Sequence, residues 1–269
     1  MTRSRRTGWS ILVALVLGAS AFLGLTSASA APRASVRYDA LGDSYASGYG
    51  VEPYDGPCGR SQSAYPVQLD GRMKVDLDDF VACAGATTGT LVSGNQLAAL
   101  DSNTDLVTVQ IGGNDIGWSS AVAACLGGSD AQCAGSLTVA RTKITDVLPG
   151  RLDSVYGQIA AAAPRARVLV VGYPRLFSPT YGAYLLASPA EQQALNDGAD
   201  LLRNVLAAAA ARHGFDFVDV TKRFDDHGVN APVPWVLGPF SRAPFHPNAD
   251  GYEAYTAAVT AAIHPSQLR

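Results

Sequence analysis

Val36-Arg37-Tyr38-Asp39-Ala40-Leu41-Gly42-Asp43-Ser44 opens the folded part of the chain and decides how the rest is read. Residues 36–41 are rich in β-branched and aromatic side chains, as a strand requires, and Gly42-Asp43 ends that run directly before a serine. A second run, 106–111, ends the same way, in Gly112-Gly113-Asn114-Asp115. Further strands are predicted at 80–83, 168–171 and 215–220. Between them, 91–100, 137–163, 190–213 and 248–263 carry Ala, Leu, Arg and Gln at helical spacing. His213-Gly214 reads as a helix end and Asn248 as an N-cap.

Strands alternating with helices imply an α/β fold, a three-layer α/β/α sandwich around a mainly parallel sheet of about five strands. Open parallel sheets bind ligands at the carboxyl ends of their strands. Ser44 would follow the first strand, Gly85 the second and Asn114 the third, with His246 entering from the loop before the last helix. The stretches 117–135, 173–189 and 221–247, rich in Gly, Pro, Ser and aromatics, are expected to be rim loops. Trp118, Tyr173, Phe177, Tyr181, Tyr184, Trp235, Leu237 and Phe240 are there either to wall an apolar pocket or to close the core beneath.

Residues 1–30 differ from everything after them. Arg3, Arg5 and Arg6 lead into an apolar stretch over 9–25 that ends in Ala28-Ser29-Ala30, the pattern of a secretory signal peptide. Cleavage after Ala30 leaves 31–269 as one domain and moves the formal charge from −3 to −6. An acidic chain without a basic run lacks the footprint of a nucleic-acid binder. Export to an oxidising compartment makes disulfides the reading for Cys58, Cys83, Cys125 and Cys133. Three connectivities are open, and Cys58 with Cys83 and Cys125 with Cys133 is favoured because short loops close easily. The cysteines do not read as metal ligands: there is no C-x-x-C pair and none lies near a histidine.

Gly42-Asp43-Ser44, the Ala84-Gly85-Ala86-Thr87 turn, Gly112-Gly113-Asn114-Asp115 and His246 resemble the four blocks of the SGNH, or GDSL, hydrolase superfamily, whose sandwich is flavodoxin-like. The exported, cysteine-bearing frame is similar to its secreted bacterial lipase and esterase branch. A serine hydroxyl is a weak nucleophile, so it needs a base for its proton and fixed donors for the oxyanion. The resemblance assigns Ser44 as nucleophile and His246 as base. The N–H groups of Ser44 and Gly85 and the side-chain amide of Asn114 become the oxyanion hole. It implies no cofactor or metal, a small-molecule or lipid ester as substrate, transient contact with lipid surfaces, and a monomer.

One departure matters. The family commonly has Asp three residues before the histidine, and Ala243 stands there. A main-chain carbonyl, that of Ala243 or Pro244, is therefore expected to orient His246, with Asp39 or Asp250 as carboxylate fallbacks. Asp43 and Asp115 are read as braces of their loops. The rival α/β-hydrolase elbow would need glycine at position 46, which is Ala46. Phospholipase or carbohydrate acetyl-esterase activity on the same site is the alternative within the family, and an exported binding protein that kept the fold without turnover is the competing function.

Overall fold

The computed structural model describes residues 1–2 and 35–263. The expected signal segment, apart from its first two residues, and His264 lie outside them. All elements below belong to the unit Ala34–Arg269.

Five parallel strands form the central sheet: β1 (Val36–Gly42), β2 (Val75–Phe80), β3 (Leu106–Gln110), β4 (Arg167–Val171) and β5 (Asp216–Val218). Their order is β2-β1-β3-β4-β5. The first crossover steps to one side of β1 and the later ones step to the other, so the strand order reverses between β1 and β3. That reversal opens a crevice at their carboxyl ends. The β1–β3 register closes on Gly42 opposite Gln110.

The helices are α1 (Ser44–Ser47), α2 (Tyr65–Leu69), α3 (Thr88–Ser93), α4 (Trp118–Gly127), α5 (Asp130–Thr142), α6 (Leu148–Ala162), α7 (Pro189–Arg212), α8 (Thr221–Phe224) and α9 (Ala249–Ala262). On one face of the sheet Tyr38, Ala40 and Leu106 pack against Tyr65 and Leu69 of α2 and Tyr255 and Val259 of α9. On the other, Leu41, Val107 and Val109 pack against Leu91, Leu152 and Leu206 of α3, α6 and α7. Every residue of β3 is buried, as a central parallel strand covered on both faces must be.

The sandwich matches the expectation, while several elements differ in extent. The second strand begins five residues before the predicted 80–83. It is the sheet edge, where Asp76, Asp78 and Asp79 alternate with Val75 and Leu77, and the carboxylates hid its apolar pattern. The expected segment still runs beside β1, through Val81 N–H to the Ala40 carbonyl and Cys83 N–H to the Gly42 carbonyl, 3.0 Å each. The helix predicted at 91–100 breaks at Gly94-Asn95 into α3 and a 3₁₀ turn, Gln96–Ala99.

The largest correction concerns 117–135, expected as a rim loop and in fact α4 and the start of α5. Gly117 and Gly128 sit at the helix ends, where Ser129 and Gln132 form a capping box, so glycine marked boundaries there and not a loop. The 137–163 run is helical with a π turn, Lys143–Val147, between α5 and α6. A hairpin pairing Tyr54–Asp55 with Arg60–Ser61 was not anticipated. Cys58 is bonded to Cys83 and Cys125 to Cys133, the favoured connectivity. Among the described residues no helix is long and apolar enough to cross a membrane.

Candidate active site

β1 and β3 deliver their loops side by side because Gly42 permits it. Gly42 has φ +143, and a Cβ there would stand 2.5 Å from the Gln110 carbonyl oxygen. Gln96 clamps the same residue, accepting from its N–H at 2.8 Å and donating to its carbonyl at 3.0 Å. Asp43 then caps α1 by accepting the Tyr45 N–H at 2.9 Å, which sets Ser44 as the first helical residue.

Ser44 Oγ lies 2.7 Å from His246 Nε2, across 202 residues of chain. Nδ1 of His246 is 3.0 Å from the Pro244 carbonyl. A carbonyl only accepts, so Nδ1 carries the proton and Nε2 presents its lone pair to the serine hydroxyl. The loop holding the ring is fixed at both ends: Leu237 N–H donates to the His246 carbonyl at 2.8 Å, and Tyr45 Oη donates to the Phe245 carbonyl at 2.6 Å. Tyr45 and Tyr49 flank the imidazole, each with its ring centroid 5.1 Å away. Burial pushes the His246 pKa below its ordinary 6.5, against the opposing effect of the Pro244 and Ala243 carbonyls.

Of the two carbonyls expected to face the imidazole, that of Pro244 meets Nδ1, while that of Ala243 accepts the His246 main-chain N–H at 3.3 Å. The fallback carboxylates are elsewhere. Asp39 accepts from Thr104 Oγ1 at 2.7 Å and Asp79 N–H at 3.1 Å, and Asp250 is exposed in the first turn of α9. Asp39, Asp78 and Asp79 bring one carboxylate oxygen each within 4.8 Å of one another. No hydrogen bond joins that group to Ser44 or His246.

The other two loops are tied together beside this pair. Asn114 Nδ2 donates to the Ala86 carbonyl at 2.9 Å and keeps a second N–H. Gly85 has φ +81, and a Cβ there would meet nothing within 4 Å. Backbone conformation demands the glycine, and open space lies before it. Among the described residues neither Gly85 N–H nor Ser44 N–H has a partner, the latter because the first N–H groups of a helix have none within it.

Asp115 accepts from Thr88 N–H at 2.9 Å, Thr88 Oγ1 at 2.6 Å and Arg151 Nη1 at 3.1 Å. Asp43 accepts through its second oxygen from Tyr173 Oη, whose own acceptor side takes Gly113 N–H at 3.2 Å. Burial of Asp43 pushes its pKa up to about 7.

Sequence reasoning missed Tyr173 as the bridge between the Asp43 and Gly113 loops and Arg151 as the partner of Asp115. The rule that strand ends meet at one rim would have found the first, since Tyr173 follows β4 by two residues. Of the expected pocket walls, Tyr173 and Phe177 are buried and Trp118, Tyr184 and Trp235 pack onto the core. Phe240 and Tyr181 are exposed.

A doubly wound sheet that brings a hydroxyl, an imidazole and free N–H groups to its switch point is the architecture of an acyl hydrolase. Residues 40–254 match the model of the GDSL-like Lipase/Acylhydrolase family. A protein named Lipase 1 from Streptomyces coelicolor is 39% identical over 240 residues, covering 88% of each chain. The crystal structure of an extracellular lipase from Streptomyces rimosus superposes with a TM-score of 0.81 at 36% identity, covering 85% of this chain and 100% of that one. That of phospholipase A1 from Streptomyces albidoflavus NA297 gives 0.80 at 36% identity, covering 86% and 100%. The chain belongs to the GDSL-like lipase/acylhydrolase family and is a carboxylic-ester hydrolase.

Proposed function

We propose that Ser44 and His246 form a catalytic dyad that cleaves lipid esters through an acyl-serine intermediate. The 2.7 Å contact between Ser44 Oγ and His246 Nε2 carries the reading. Nε2 takes the hydroxyl proton as Oγ bonds to the ester carbonyl carbon. The electron pair of the C=O bond moves onto oxygen, where Ser44 N–H, Gly85 N–H and Asn114 Nδ2 receive it; one such donor contributes about 3 kcal/mol to lowering the barrier. Collapse expels the alcohol, which takes the proton from Nε2. Water then repeats the sequence and frees the acid. The Pro244 carbonyl holds the tautomer, the task an aspartate performs in a triad.

Asp43 and Asp115 position these groups and do not touch substrate in this reading, which needs neither metal nor organic cofactor. Ser44 and His246 meet within a single copy of the chain, as a monomeric domain 31–269 requires. Lipid esters are favoured over carbohydrate acetyl esters because the family neighbours of known structure include a lipase and a phospholipase A1. Export with loss of 1–30 is supported by the leader pattern, the two disulfides and the extracellular neighbour. The intact mass of exported protein should correspond to a chain starting at Ala31.

A fluorophosphonate tests the dyad, because an activated hydroxyl labels covalently and an inert one does not. Wild type should label stoichiometrically, and Ser44→Ala should remain unlabelled and lose ester turnover. Equal labelling of the two would remove Ser44 from the mechanism.

A further inference from the structure

A groove of about 560 Å³ lies between α3 and α6. Thr87 and Thr88 line one side, and Arg151, Ser154 and Gln158 line the other. It starts next to the oxyanion segment: Thr87 is two residues beyond Gly85, at most about 7 Å of chain, and Ala86 between them holds Asn114.

The chemistry of the groove is one-sided. Among the described residues no carboxylate lines it, although the chain is acidic overall. Asp153, which shares the first turns of α6, faces away onto Arg212 at 2.9 Å and His213 at 3.2 Å. Arg151 is pinned by Nη1 to the buried Asp115 while 51% of its side chain stays exposed. A guanidinium has five N–H donors in a fixed fork, and among the described residues Asp115 is the only partner of this one. Arg151 lines the groove together with Ser154 and Gln158, whose Nε2 donates to the Ser154 carbonyl at 3.2 Å. An anchored guanidinium with a free edge matches a phosphate oxygen pair.

We propose that this groove is a subsite for the phosphate headgroup of a glycerophospholipid, with Arg151 as the cation that reads it. The inference rests on the dyad reading. With the scissile carbonyl at Gly85 and Asn114, the glycerol backbone crosses Ala86 and the phosphate reaches Arg151. The cleaved bond is still a carboxylic ester, so the steps above are unchanged.

The test compares dioleoyl phosphatidylcholine with dioleoylglycerol in the same detergent micelles, two lipids that differ by the headgroup. Arg151→Gln removes the cation. Ser154→Glu places a carboxylate three residues along α6 and leaves the Asp115–Thr88 bonds in place. The ratio of kcat/KM on phospholipid to that on diacylglycerol should fall by about tenfold in both variants, as loss of one charge-assisted contact predicts. A ratio that stays within about twofold in Ser154→Glu, well inside what one weak contact changes, overturns the subsite.

Glycerophosphocholine and inorganic phosphate separate two sources of the anion. The former should compete with phosphatidylcholine on wild type and lose its effect on Arg151→Gln. Stronger inhibition by inorganic phosphate would make this a free-phosphate site and overturn the headgroup assignment. Wild type that hydrolyses neither lipid overturns the lipid-ester reading on which the subsite rests, whereas diacylglycerol turnover with an unmoved ratio overturns the subsite alone.

Discussion

In the proposed dyad His246 must be neutral to accept the Ser44 proton, and its burial makes the charged ring harder to form. The acid limb of kcat/KM should therefore have its midpoint below pH 6.5, the ordinary value for histidine. A pH–rate profile on a soluble p-nitrophenyl ester checks this, and a midpoint above 6.5 would contradict the assignment. Asp43 behaves in the opposite sense. Its folded pKa of about 7 exceeds the ordinary 3.8, so the folded chain holds that proton more tightly than the unfolded chain. Its contribution to stability is most favourable below 3.8 and is lost as pH rises through about 7.

Asp43→Asn keeps a good N-cap and removes the buried charge. The variant should be more stable than wild type at pH 8, by up to about 4 kcal/mol, and so melt at a higher temperature, with the gap closing toward pH 4. Thermal melts across that range measure it. Its kcat should fall by about tenfold, because the Tyr173 bridge that aligns the Ser44 and Gly113 loops is disturbed. Any break in the wild-type profile near pH 7 should vanish in Asp43→Asn.

At the scale of elements, the disulfides do different work. Cys125–Cys133 joins α4 to α5 across a sequence separation of 8, and Cys58–Cys83 joins the small hairpin to the segment before Gly85 across 25. Loop-closure entropy assigns them about 2.5 and about 3.5 kcal/mol. Cys125→Ser/Cys133→Ser should lower Tm and spare kcat. Cys58→Ser/Cys83→Ser should lower both, because Ala84 N–H also donates to the Cys58 carbonyl at 2.9 Å and so seats the turn at Gly85, the oxyanion donor proposed above. Melting curves and initial rates of the two double variants decide this, and equal kcat in both would argue against it.

Element type was legible wherever one period ran unbroken, as in α7, α9 and the buried β3. It failed where polarity or glycine was read without position. The acidic residues of β2 are those of a sheet edge, and Gly127-Gly128 lies where α4 ends.

For the whole molecule, the rim loops present apolar side chains to solvent: Phe240 is 90% exposed and Leu186 66%. Phe240 sits in the loop from Leu237 to Phe245, whose base is bonded to His246. Contact with a lipid surface would bury that ring on the loop that carries His246. Phe240→Ser should weaken activity on phosphatidylcholine vesicles by about tenfold, the scale of burying one such side chain. Turnover of soluble p-nitrophenyl butyrate should change by less than about twofold, as for most surface substitutions. Equal loss on both would assign the residue to folding and not to the lipid surface.

The chain order of strand, glycine and polar residue was enough to read the sandwich and to place Ser44, Gly85, Asn114 and His246 on loops at one rim. Those are local signals, since side-chain period and turn chemistry act over a few residues. It took the packed chain to reveal that, among the described residues, the Pro244 carbonyl and no carboxylate meets the imidazole, that Tyr173 links two loops 70 residues apart, from Asp43 to Gly113, and that Arg151 lines a groove with no carboxylate in its wall. These depend on how separate helices and loops pack against one sheet, and hydrogen bonds between groups distant in sequence leave no periodic trace in the residues that make them.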